Sequence, residues 1–277
     1  MKSLLVAVDF SNCSVNALLH AAQLAYLTGA RLEMIWVNNP IKTRVNVADD
    51  DSNGLVNEMN IQFKRLTDEL QSKYVGLKVD YLIREGKVYK EIAAQAIESE
   101  SQLIVAGTHG RSGFEKFWMG SNVYRVVSTA PCPVISVRAG VNTKEKLNTI
   151  ILPIDSTVET REKVTITAEI AKAAKAKVIV LRLYSSDMIE VRDSVDIYAD
   201  QVADYLREEE VEVEIDDAHA ENLTETTIDY ARKVDADLIV IMTEQEKKVA
   251  NFLLGNFAQQ MINHAPVPVM SVRPKAL

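Results

Sequence analysis

A duplication constrains this chain more than any other feature. Residues 128–138 read STAPCPVISVR and residues 263–273 read NHAPVPVMSVR, identical at seven of eleven positions at an offset of 135. The starts of the halves match too: LLVAVDFS at 4–11 resembles IILPIDST at 150–157, at an offset of 146. Each of these apolar runs ends on an aspartate, Asp9 or Asp155. A period this long is a whole domain, not a solenoid unit. The offsets differ by 11 residues, so the first half carries about that much extra sequence. The polar stretch Asn38–Asn57, with its triplet Asp49, Asp50 and Asp51, is the expected place. It reads as a long solvated loop, with a lid over a site as the sharper alternative. The aperiodic segment Ala139–Leu147 reads as a linker. Domains are therefore expected at 1–139 and 147–277.

Within each half, apolar runs alternate with helical periodicity. In the first half the strands are expected at Leu4–Val8, Leu32–Val37, Leu77–Arg84, Leu103–Ala106 and Pro133–Val137. Helices are expected at Asn12–Thr28, Gln62–Lys73, Lys87–Glu98 and Ser121–Thr129. Ser11 or Asn12 is placed to cap the first helix and Gly29 to close it. The second half repeats this order from Ile150 to Val272. Such alternation with continuous apolar strands implies α/β architecture, namely two tandem doubly wound domains, each with a five-stranded parallel sheet covered on both faces. Arg207–Asp217 (REEEVEVEIDD) alternates Val211, Val213 and Ile215 with carboxylates, as a strand with one wet face near a sheet edge does.

A formal net charge of −8 makes broad nucleic-acid or membrane-surface binding unfavourable. No apolar stretch is long enough to span a bilayer. The short apolar run near the N-terminus meets Asp9 and reads as a buried strand rather than a signal peptide. The expectation is a cytoplasmic protein. Cys13 and Cys132 sit in no metal-ligand spacing, and no metal site is expected. They read as reduced structural thiols, with a redox role for Cys13 at a helix start as the alternative.

The chemistry is expected after the fourth strand. Ligands of open α/β sheets bind at the carboxyl ends of the strands, where strand order reverses. There the chain reads GTHGRSGFEKFWMGSN, from Gly107 to Asn122. Gly107, Gly110, Gly113 and Gly120 allow close backbone approach, and successive N–H groups of such a turn form an anion nest. Ser121 and Asn122 open a helix whose first N–H groups face a bound phosphate. Thr108, His109 and Arg111 are further polar groups in reach. The loop has neither the GxxxxGK[ST] nor the GxGxxG spacing. By itself it is equally a flexible surface turn.

Gly107-x2-Gly110-x9-Gly120-Ser121 resembles the ATP-binding signature of the universal stress protein family, G-x2-G-x9-G-[S/T]. AVDFS, GTHGR and APCPVISVR are similar to that family as well, and the likeness extends over nearly the whole chain as two copies. The resemblance implies an adenine nucleotide α-hydrolase-like, Rossmann-like fold that binds ATP, ADP or AMP, with Mg2+ as an accompanying ion. It implies that Asp9 contacts the nucleoside, that Ala7 and Val37 lie around the adenine, and that Gly107, Gly110, Gly120, Ser121 and Asn122 contact phosphate and ribose. A helix cap or turn carboxylate is the other reading of Asp9. His109 keeps its place in the family's loop, but nothing supplies a nucleophile beside it, so no catalytic residue is assigned.

The second copy departs from this pattern. Its loop reads MTEQEKKVANFLLGNF, with Met242, Gln245 and Asn256 at the positions of Gly107, Gly110 and Ser121. It is expected to bind nucleotide weakly or not at all. The function that follows is a nucleotide-dependent regulatory or stress-response role. A slow ATPase and a non-nucleotide ligand or protein-interaction module are the alternatives. Family members commonly dimerise through the last strand, so an intrachain pairing of Val134–Val137 with Val269–Val272 is expected, and a homodimer of whole chains is compatible with it.

Overall fold

The computed structural model describes residues 1–39, 52–108, 121–141, 146–243 and 254–274. The first half runs β1 (Ser3–Ala7), α1 (Asn12–Thr28), β2 (Arg31–Asn38), α2 (Ser52–Lys73), β3 (Val79–Glu85), α3 (Val88–Glu98), β4 (Leu103–Gly107), α4 (Ser121–Thr129) and β5 (Val134–Val137). The second half runs β6 (Thr149–Ile154), a 3-10 turn (Val158–Arg161), α5 (Val164–Ala174), β7 (Lys177–Tyr184), α6 (Ile189–Glu208), β8 (Val213–His219), α7 (Leu223–Lys233), β9 (Leu238–Met242), α8 (Asn256–His264) and β10 (Val269–Val272).

All ten strands join one sheet in the order β3-β2-β1-β4-β5-β10-β9-β6-β7-β8. Pairing is parallel within each half, as expected. The halves meet where β5 and β10 pair antiparallel, with Ile135 opposite Met270. The repeated APxPVxSVR segments are thus the seam. The run with alternating carboxylates does form an edge strand, β8, although it begins at Val213 and α6 reaches Glu208.

Two expectations about the elements need correction. Helix α2 begins at Ser52, so the tail of the stretch read as a loop is helical. Glu58, Gln62, Arg65 and Glu69 supply its wet face, and Met59, Phe63 and Leu70 its buried one. The polar composition of residues 52–61 concealed that period. Helix α6, which apolar periodicity places at Val195–Arg207, starts instead at Ile189, where the first turn is solvated and Ile189 itself is exposed.

Two apolar layers cover the sheet, and both run through the halves without a break. One contains Leu4, Val6, Leu18 and Phe63 of the first half with Ile150, Leu152, Ala171 and Leu206 of the second. The other contains Leu5, Ile104 and Val127 with Ile151, Ile239 and Met261. Polar groups also tie the halves together. The Tyr124 hydroxyl accepts from the Leu254 amide at 3.2 Å, and Arg273 Nη1 donates to the Ala130 carbonyl at 3.0 Å.

Helix α1 is capped by Ser11, whose hydroxyl accepts from the Ser14 amide, and is closed by Gly29 at φ 68°. Lys175 takes the equivalent place after α5, also left-handed, at φ 53°. A side chain there costs about 1 kcal/mol that glycine does not incur. Lys175→Gly is therefore expected to stabilise the protein by up to about 1 kcal/mol in urea unfolding.

His20 of α1 is buried at the junction of the halves. Burial pushes its imidazole down to about 4, and the Asp237 charge only partly opposes this. The folded state binds the proton less readily than the unfolded chain does. Stability is thus complete above pH 6.5 and is lost as pH falls from 6.5 through 4, by about 3 kcal/mol. Chemical denaturation at a series of pH values should show that slope, and His20→Gln should flatten it.

Candidate functional site

In each half the strand order reverses beside the first strand: β2 lies on one side of β1 and β4 on the other. The crevice outside their carboxyl ends is where an α/β sheet takes a ligand. Ala7 ends β1 and pairs with Ile35 of β2 and Ala106 of β4. Val37 lies near the end of β2, and Gly107 ends β4. Thr108 follows, buried, its amide donating to the Val137 carbonyl at 2.9 Å. Ser121 and Asn122 are the first residues of α4. Ala7, Asp9, Val37, Gly107 and Asn122 are all partly exposed, as the walls of an open crevice are. His109, Gly110, Arg111 and Gly120 lie outside the described residues.

Asp9 sits in a turn fixed by its own hydrogen bonds. Its Oδ1 accepts from the Ser11 amide at 3.1 Å and from the Ser11 hydroxyl at 2.6 Å. Its amide donates to Ser14 Oγ at 3.2 Å. The intervening Phe10 is held at φ 60°, a left-handed conformation that is rare for a bulky residue. Its ring meets Phe63 edge-on at 4.9 Å, and Phe63 stacks on Tyr81 at 4.8 Å. That aromatic packing holds the turn in place. Asp9 thus does act as a turn carboxylate, and the turn presets its position at the crevice. Phe10 and Ser14 are positioning residues that the sequence reading passed over, and Ser11, expected there as a helix cap, also holds the aspartate. A signal was available, since D-x-S/T followed by a hydroxyl residue five places after the aspartate occurs in both halves.

Gly107 has a packing reason to be glycine. A Cβ there would stand 2.9 Å from Cys13 Sγ and 3.0 Å from the Cys13 carbonyl carbon and oxygen. The strand end is pressed against the start of α1, where the backbone cannot yield. Cys13 itself is buried and donates its thiol to the Val137 carbonyl at 3.3 Å. Burial pushes the Cys132 thiol up to about 12. The Cys132 environment therefore disfavours a thiolate. Gly107→Ala is expected to destabilise the fold by about 1–3 kcal/mol in thermal or urea unfolding, whether or not nucleotide is present.

The second half keeps the hydrogen bonds of this turn, without a positive φ at Ser156, and alters the crevice. Asp155 Oδ1 accepts from the Thr157 amide at 2.8 Å and from the Thr157 hydroxyl. The Asp155 amide donates to Thr160 Oγ1 at 3.4 Å, as Asp9 does to Ser14. A pocket of about 30 Å³ lies there, and Pro153, Leu183, Met242 and Phe257 are among its walls. By the repeat offsets these stand at the places of Ala7, Val37, Gly107 and Asn122. Every wall has become bulkier, and Pro153, Leu183 and Met242 are buried.

Lys163 reaches this pocket at the place of Ala17. It is only 2% exposed, and its Nζ donates to the Thr160 carbonyl at 2.8 Å and to Thr160 Oγ1 at 3.0 Å. Burial pulls its ammonium down to about 8, and the Asp155 charge holds it up only in part. Folding therefore disfavours the charged form. The cost is fully present below pH 8 and is relieved as pH rises from 8 towards 10.5. Lys163→Met is expected to raise stability at pH 7 by about 1–3 kcal/mol, measured by denaturant unfolding.

Comparison with known proteins agrees with this architecture. The model of the universal stress protein family matches residues 1–138 and again 146–273, and the chain belongs to that family. A universal stress protein of Methanocaldococcus jannaschii is 28% identical over 145 residues, covering 50% of this chain and 82% of that protein. One of Thermus aquaticus is 28% identical over 141 residues, covering 50% of this chain and 98% of that protein. In the solved structures, a universal stress protein of Archaeoglobus fulgidus shares the fold with a TM-score of 0.72 at 18% identity, over 98% of each chain. No helix among the described residues is long and apolar enough to cross a membrane.

Proposed function

We propose that the first half holds one adenine nucleotide, ATP or its products ADP or AMP, and that occupancy of this crevice is a regulatory signal in a stress response. The observation that carries this reading is the contrast between two crevices built on one frame. The first has small, partly exposed walls at Ala7, Val37 and Gly107 around the preset Asp9, and the start of α4 faces it. The second has the same aspartate turn behind bulky walls.

In this reading Asp9 accepts hydrogen bonds from the ribose hydroxyls, and Ala7 and Val37 leave room for a flat ring. The glycine-rich loop from Gly107 to Gly120 and the amides of Ser121 and Asn122 receive the phosphates. Helix α4 contributes its unpaired first-turn N–H groups and the favourable end of its dipole. In this reading Mg2+ enters with the nucleotide as its counter-ion. The nucleotide supplies the binding energy that shifts conformation or partner choice. This reading entails little or no turnover of the nucleotide.

The test is nucleotide released from freshly purified, denatured protein and quantified by anion-exchange chromatography. The expected result is close to one adenine nucleotide per chain, lost in Gly110→Val. Two per chain would assign a working site to the second half. None, even after incubation with millimolar MgATP, would overturn the reading.

A further inference from the structure

The second crevice is more than a worn copy of the first, because it has gained a cation. Lys163 stands where the first half has the fully buried Ala17, so the frame itself does not require an amine there. Keeping a buried ammonium costs stability, as its lowered affinity for the proton shows. An ammonium has three N–H donors, and two of them go to Thr160. The third has no acceptor among the described residues, and the side chain lines the pocket. Asp155 does not take it, because that carboxylate is turned to Thr157 and forms no ion pair with Lys163. Asp155, Thr157 and Thr160 supply the other polar lining, and Leu183, Ile241 and Phe257 face the same space as apolar walls.

From this geometry we infer that the second crevice is a binding site for a small aliphatic monocarboxylate of about acetate size. Its carboxylate accepts the open Lys163 donor, and its methyl end lies against Leu183, Ile241 and Phe257. The volume of about 30 Å³ suits such a molecule, since one water needs roughly 10–15 Å³ by the same measure. A nucleotide is far too large. Asp155 already faces the same ammonium, so a singly charged guest is repelled least and phosphate most, and phosphate also lacks an apolar end. Chloride would satisfy the cation but leave the apolar walls unused. The inference concerns the second half alone and stands whether or not the first half binds nucleotide.

The experiment follows the NMR signals of 13C-labelled acetate with the full chain. Binding in the millimolar range should broaden them. Lys163→Met, which should fold at least as stably as the parent, should weaken binding by roughly tenfold to a hundredfold, the effect of a lost charged hydrogen bond. Phe257→Trp, which fills the pocket while leaving the cation in place, should abolish it. Formate should compete, and phosphate and saturating MgATP should not. An acetate signal that Lys163→Met leaves unchanged, displacement by phosphate or chloride at equal concentration, or no broadening at all would each overturn the inference.

Discussion

Everything in this molecule is arranged around the antiparallel contact between β5 and β10. Three residue pairs, Ser136 with Val269, Ile135 with Met270 and Val134 with Ser271, join two parallel sheets that would otherwise each expose an edge. An unpaired edge in the middle of such an apolar surface would be an aggregation template. Pairing the two copies removes both edges at once and merges the layers on either face. What remains at the ends of the sheet are β3 and β8, whose alternate positions carry charge, Asp80 and Arg84 in one and Glu214 and Asp216 in the other. The seam also sets the orientation of the crevices. Because β5 and β10 run in opposite directions, the carboxyl ends of the two sets of strands point to opposite edges of the sheet.

The fold was legible in the sequence because its signals are local and repeated. Apolar runs flanked by helical periodicity identified the strands, the copied APxPVxSVR segments identified the duplication, and the resemblance to a family that pairs through its last strand pointed to the seam. The elements misplaced were those with mixed faces. The first turns of α2 and α6 are solvated, and a polar helix turn and a polar loop have the same composition. Domain independence was less legible still. A linker rich in polar residues suggests separable units, yet Val141 and Leu147 are buried at its ends, and Asn16 donates to the Val141 carbonyl at 2.6 Å.

The candidate site was legible in outline only. Spacing directed attention to Asp9 and to the segment after β4, but spacing does not distinguish two reasons for a glycine. At Gly107 one reason lies in the start of α1, ninety residues earlier in the chain, and only the packed structure reveals it. Phe10 was hidden for the same reason, since nothing local announces that an aromatic residue will sit at positive φ against a ring from α2. Lys163 was the least visible, because one lysine among many in a charged chain gives no hint of burial.

The covalent link between the copies carries a consequence for evolution. Two separate subunits meeting through such a strand would be interchangeable, and any change to one crevice would appear in both. Joined in one chain, each copy always faces the other at a fixed and high local concentration. The seam can then be kept intact by one set of residues while the two ligand-facing ends diverge. Gly107 beside Met242 and Ala17 beside Lys163 are what such freedom leaves behind: a permanent heterodimer, made from one gene, in which the specialised ends never exchange.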